Sequence, residues 1–177
     1  MQKFKVIGLL AVLIAVIAPL WAALSDKFGL TTGAVALICA GLYVANGMVV
    51  KNGLKITLGF LVGNVWAFCA FQVILALVGA GLNFHVTLFL VLACFALVAV
   101  FIACYLDKVF DLSAWLAGWA ITLTLLPFAG AFFPDAETGQ ELKLLLHVAI
   151  AMVAGVWLIG VLITSTHKFL ITRKKAG

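Results

Sequence analysis

Charge is what this sequence has least of, and it is missing in blocks. The 177 residues include six Asp and Glu and eleven Lys and Arg, 10% of the chain, while 67% are apolar. A globular domain carries about a quarter of its residues as charges. None occurs in 6–25, 28–50, 56–106, 112–134 or 144–167. Those intervals therefore lack the carboxylates that couple transport to protons or sodium and the arginines that sense voltage. They also hold no base beside an activated nucleophile, so no catalytic residue is assigned and no enzyme is expected. Cysteine is sparse too. Cys39, Cys69, Cys94 and Cys104 all lie in apolar stretches, without CxxC spacing and without a neighbouring carboxylate or paired histidine. That pattern supports neither a disulfide framework nor a metal site, and nothing calls for a cofactor. A soluble enzyme, a nucleic-acid binder and a secreted disulfide scaffold are all excluded.

What remains is a chain of membrane spans. About 20 apolar residues cross the bilayer core. The long interval 56–106 therefore holds two spans and each other interval one. The expectation is all-α: one polytopic membrane domain over 1–177, with six helices near 6–24, 30–50, 56–80, 86–106, 112–133 and 144–166. The first could be mistaken for a cleavable signal peptide. However, its apolar run is about 20 residues, and Trp21 stands where small residues should lead to a cleavage site, so it reads as a retained helix.

The basic residues fall in alternate connections. Lys3, Lys5, Lys51, Lys55, Lys108, Lys168, Arg173, Lys174 and Lys175 lie on one side, against Lys27 and Lys143 on the other. The 9:2 bias puts both termini in the cytoplasm. The net charge of +5 is thus an orientation signal, with anionic lipid as the partner of the 173–175 cluster. The longest connection, 134–143, is acidic through Asp135, Glu137 and Glu141 and reads as a solvated outer loop.

Spans two and five resemble each other at both ends. Phe28-Gly-Leu-Thr-Thr leads to Val44-Ala-Asn-Gly47, and Phe110-Asp-Leu-Ser-Ala leads to Pro127-Phe-Ala-Gly130. One inserted residue aligns them. Each is the second helix of a three-helix half, and the two run in opposite directions, so the expected architecture is two inverted three-helix repeats.

Residues Phe28 to Gly47, then Lys51-Asn-Gly-Leu-Lys55, then Gly63-Asn-Val-Trp-Ala67, and the Leu112–Gly130 segment ending Phe-Ala-Gly resemble the YcdZ-like small bacterial inner-membrane proteins, a domain of unknown function (DUF1097). The resemblance implies a multi-pass protein of the bacterial cytoplasmic membrane and supplies no substrate. Where the family pattern has a proline- and glycine-containing loop, this chain reads Asn46-Gly-Met-Val-Val, with no proline to enforce a break.

Polar groups inside the spans carry what chemistry there is. An unpaired amide in hydrocarbon costs several kcal/mol, so each needs another helix, a water or a ligand. Asn64 is the leading candidate, set among Gly59 and Gly63, which admit a close neighbour. Tyr43, Asn46, Thr122, Thr124, Trp66 and Trp119 join it along a substrate path, and Gln72 is a further amide. Polar glue between helices is the plainer reading of the amides and hydroxyls, and ordinary packing that of the deeper indoles. Trp115 reads as a belt residue at the headgroups. Pro127 frees the carbonyl four residues back. His147 is a possible pH gate, or simply a hydrogen-bonding group. The function expected is a channel or facilitator for a small neutral polar solute such as urea, an amide or a polyol. The alternative is a non-transporting scaffold or partner-binding subunit. Small-residue pairs at Gly59/Gly63, Ala114/Gly118 and Ala151/Gly155 add the expectation of a homo-oligomer.

Overall fold

The computed structural model describes residues 2–134 and 138–173. Asp135 and Glu137 of the acidic loop, and Lys174 and Lys175 of the basic cluster, lie outside the described residues. Within them the secondary structure is entirely helical. The helices are α1 (Gln2–Leu24), α2 (Val35–Ala45), α3 (Val50–Gly79), α4 (Phe84–Tyr105), α5 (Leu112–Leu125), α6 (Ala129–Phe132), α7 (Gln140–Ala154) and α8 (Val161–Arg173). A π-helical segment, Gly155–Gly160, joins α7 to α8.

Among the described residues four stretches are long and apolar enough to cross a membrane: Val50–Gly79, Phe84–Tyr105, Leu112–Phe132 and Gln140–Phe169. Gly8–Leu24 of α1 and Val35–Ala45 are further apolar helical stretches. The span expected over 30–50 is thus helical for 11 residues only, about 16 Å of axis. Its end is made without proline. The Asn46 amide donates to the Leu42 carbonyl at 3.0 Å. Gly47 (φ 81°) and Met48 (φ 57°) then turn left-handed, and the Met48 N–H reaches the Tyr43 carbonyl at 3.4 Å. Gly47 takes that φ at no steric cost, whereas Met48 does not. Span five is interrupted as well. Pro127 cannot donate to the helix ladder, and α5 gives way to a 3₁₀ turn at Leu126–Phe128 before α6 resumes.

The chain divides into two units, Met1–Gly53 with Ile150–Gly177, and Leu54–Ala149. In the first, Ala36 and Ala40 of α2 meet Ile159 and Ile163, and Leu10, Leu13, Ile14, Ile17 and Trp21 of α1 pack around them. Here α2 presses on the π segment: a Cβ on Gly155 would run into the Ala36 carbonyl.

The second unit has two apolar clusters. Ala70, Ile74 and Val91 join α3 to α4, and Ala99, Ala103 and Trp115 join α4 to α5. Asn83 caps α4 by accepting from His85 N–H at 3.0 Å, and Asp111 caps α5 by accepting from Ala114 N–H at 2.9 Å. Between α3 and α5 the backbones all but touch. A Cβ on Gly63 would collide with the Trp115 carbonyl, and one on Gly118 would lie 2.5 Å from the Phe60 carbonyl oxygen. The small-residue pairs at 59/63, 114/118 and 155 are therefore taken up inside the units.

Candidate functional site

Asn64 is buried on α3, and both ends of its amide are in use. Its Nδ2 donates to the Leu145 carbonyl at 3.0 Å, and its Oδ1 accepts from the Thr122 hydroxyl. The Leu145 oxygen only accepts, which fixes the orientation of the amide. One side chain thus ties α3 to α5 and to α7. Two more expected path residues are tied in similar ways. Trp66 Nε1 donates to the Phe95 carbonyl of α4 at 3.2 Å, with its ring 5.1 Å from Phe95 and 5.7 Å from Trp115. Asn46 caps its own helix. Thr124 lies exposed and donates back to the Ala120 carbonyl at 2.7 Å, as a helical threonine in an apolar setting does.

Two path residues keep a polar atom without a hydrogen-bond partner. The Tyr43 hydroxyl in the first unit and the Trp119 indole N–H in the second are both buried and unpaired. Trp115 joins them. Its indole is buried and its N–H unpartnered, with Phe110 edge-on at 5.3 Å. It is not an exposed belt residue, because Ala99 and Ala103 of α4 and Trp66 of α3 pack against it. Thr32 and Thr87 also bury hydroxyls without partners; neither drew attention in the sequence, where threonines in apolar runs pass as packing. His147 stands edge-on to Phe133 at 4.8 Å, with its Nδ1 unpartnered.

Tyr43 has the more telling surroundings. Its ring lies against the π segment, where a Cβ on Gly160 would fall 2.7 Å from Cδ1, and beside Gly53, next to which Trp157 also stands. π turns occur mostly as single insertions in α-helices, frequently at functional sites. The sequence signal was Gly155 and Gly160, five apart and bracketing Trp157. The four cysteines are free, Cys39 buried and the other three exposed. Among the described residues no group of three or more His, Cys, Asp or Glu side chains is placed to hold a metal ion.

A family model described as a protein of unknown function (DUF1097) matches residues 11–167. Neither the curated proteins nor the solved structures gave a match.

Proposed function

The chain belongs to the DUF1097 family, and from that premise we propose that it is a facilitator of the bacterial cytoplasmic membrane, passing a small neutral polar solute down its own gradient. It has six spans in two inverted halves, with both termini cytoplasmic. The observation that carries this reading is the pair of short, interrupted helices at equivalent places in the two halves. α2 stops after 11 residues at Asn46-Gly47-Met48, and α5 stops after 14 at Pro127. Paired breaks of this kind mark the binding region in inverted-repeat transporters.

The internal packing supports the repeat. Val62-Gly-Asn-Val-Trp66 of span three matches Val153-Ala-Gly-Val-Trp157 of span six. In the second unit Gly63 of span three lies on Trp115 of span five, and in the first Gly155 of span six lies on Ala36 of span two. Exchanging spans two with five and three with six turns one helix pair into the other, although the contacting residues themselves are not at aligned positions. Each unit is built from the first two spans of one half and the third span of the other, as a duplicated and swapped pair requires. The 9:2 distribution of basic residues supports the orientation.

Neutral solute and downhill movement follow from the spans' lack of Asp, Glu, Lys and Arg. The unpartnered Tyr43 hydroxyl and Trp119 N–H supply hydrogen bonds at depth without charge. In proteoliposomes screened with urea, short amides and polyols, at least one solute should cross faster than in empty vesicles, independently of protonophores, and Tyr43→Phe should slow it severalfold. If none crosses, the second reading stands: a non-transporting scaffold. The closed hydrogen bonds of Asn64 and Trp66 favour that reading, because they use the amide and the indole as glue.

A further inference from the structure

Five residues of α3 share one outward face at alternating spacings of four and three. They are Val65, Cys69, Gln72, Ala76 and Gly79, and all five are exposed. This is the seam spacing of a left-handed helix pair, and Ala76 and Gly79 are small enough to let two backbones approach at one end. Gln72 is the departure. Its amide makes no hydrogen bond to any described residue. Lys51 and Lys55 hold one end of α3 at the headgroups, and Gln72 lies 17 residues beyond Lys55, about 25 Å along the axis. The hydrocarbon core is about 30 Å deep, so the amide sits within it. Lipid tails offer it neither donor nor acceptor, and no described residue hydrogen-bonds it. A partner from outside this chain would meet that need.

We propose that this face of α3 is the contact surface of a homodimer, with Gln72 of one copy hydrogen-bonded to the partner's Gln72. An amide is both donor and acceptor, so it complements itself. Two copies inserted with the same topology are related by a two-fold axis along the membrane normal, which runs their α3 helices parallel and sets like residues opposite each other. Cys69 then faces the partner's Cys69, one turn from the amide pair. The glycine pairs of the sequence do not compete for this role, since Gly63 is covered by α5 and Gly155 by α2. The face is also independent of solute transport, so a protein that passes no solute still tests it.

The native cysteines supply the experiment. Cys69, Cys94 and Cys104 are exposed, and only Cys69 lies on the seam. Full-length protein in lipid vesicles at low protein-to-lipid ratio is oxidised with copper phenanthroline and run on a non-reducing gel. The wild type and the Cys94→Ser/Cys104→Ser variant should both give a covalent dimer, and Cys69→Ser should not. Gln72→Leu, which breaks no hydrogen bond among the described residues of its own copy, should leave the helical circular-dichroism signal as it was and reduce dimer yield roughly tenfold; model peptides place one interhelical amide contact near that value. Gln72→Asn should restore part of it. A cross-link that depends on Cys94 or Cys104, a Cys69 cross-link indifferent to Gln72→Leu, a product of some other mass, or no cross-link at all would each overturn the proposal.

Discussion

Replacing Asn64 with leucine tests whether this amide is glue or path. The substitution roughly keeps the side chain's size and deletes two hydrogen bonds, one to Leu145 and one from Thr122. Neither partner is stranded. Leu145 lies within α7, so its carbonyl still accepts from the N–H four residues on. The Thr122 hydroxyl can turn back to the Gly118 carbonyl on its own helix. The loss is therefore the net worth of two interhelical bonds. In membrane proteins these average ~0.6 kcal/mol each and reach ~1.7, so the total is about 1–3 kcal/mol. A double-mutant cycle with Thr122→Val isolates the shared bond and should return a coupling of about 0.6–1.7 kcal/mol. The assay is equilibrium unfolding in mixed micelles followed by tryptophan fluorescence. Zero coupling would refute the argument that Thr122 donates to Asn64. An Asn64→Leu variant of full stability whose solute flux is lost would refute the assignment as glue, since the amide would then be meeting solute.

Other outcomes follow from single contacts. Gly63→Ala drives a methyl into the Trp115 carbonyl, and Gly155→Ala drives one into the Ala36 carbonyl; each should cost about 1–3 kcal/mol of stability in the same unfolding assay, and a neutral result at either would mean that its helix pair is looser than described. Reporter fusions after Lys55, after Asp111 and at the C-terminus should report the cytoplasm, and fusions near residues 83 and 138 the outside; one clear reversal would break the inverted repeat, which needs an odd number of spans per half. His147→Gln should leave the pH profile of flux unchanged if His147 only packs on Phe133, whereas loss of a titration would make it a gate.

The class of protein was legible because charge in a membrane span is costly whatever the fold, so its absence from five intervals needs no tertiary context to interpret. The shortness of α2 was not legible. Residues 28–50 are uncharged throughout, and hydropathy cannot distinguish a helix from an apolar turn. The stop depends on Gly47 and Met48 adopting positive φ, a backbone choice that Met48 alone would not suggest. Pro127, by contrast, announced its break, because a missing N–H is written in the residue itself. Trp115 was misjudged for a third reason. Its sequence position fits a headgroup belt, and it is buried by Ala99 and Ala103 of α4 and by Trp66 of α3, long-range neighbours that the sequence does not announce.

Asn64 and Gln72 show where such reading must stop. Both are amides on one apolar helix, and both carry the same obligation to find partners in hydrocarbon. The sequence states that obligation equally for each. Two turns of helix separate them, about 12 Å of rise, and the difference lies in the face each occupies. Asn64 looks inward, and its partners are Thr122 and Leu145, 58 and 81 residues away along the chain. Gln72 is exposed, and no described residue hydrogen-bonds it. A long-range partner settles the first amide as structure within the chain. The second has no partner among the described residues, and that is why its partner is proposed on a second copy.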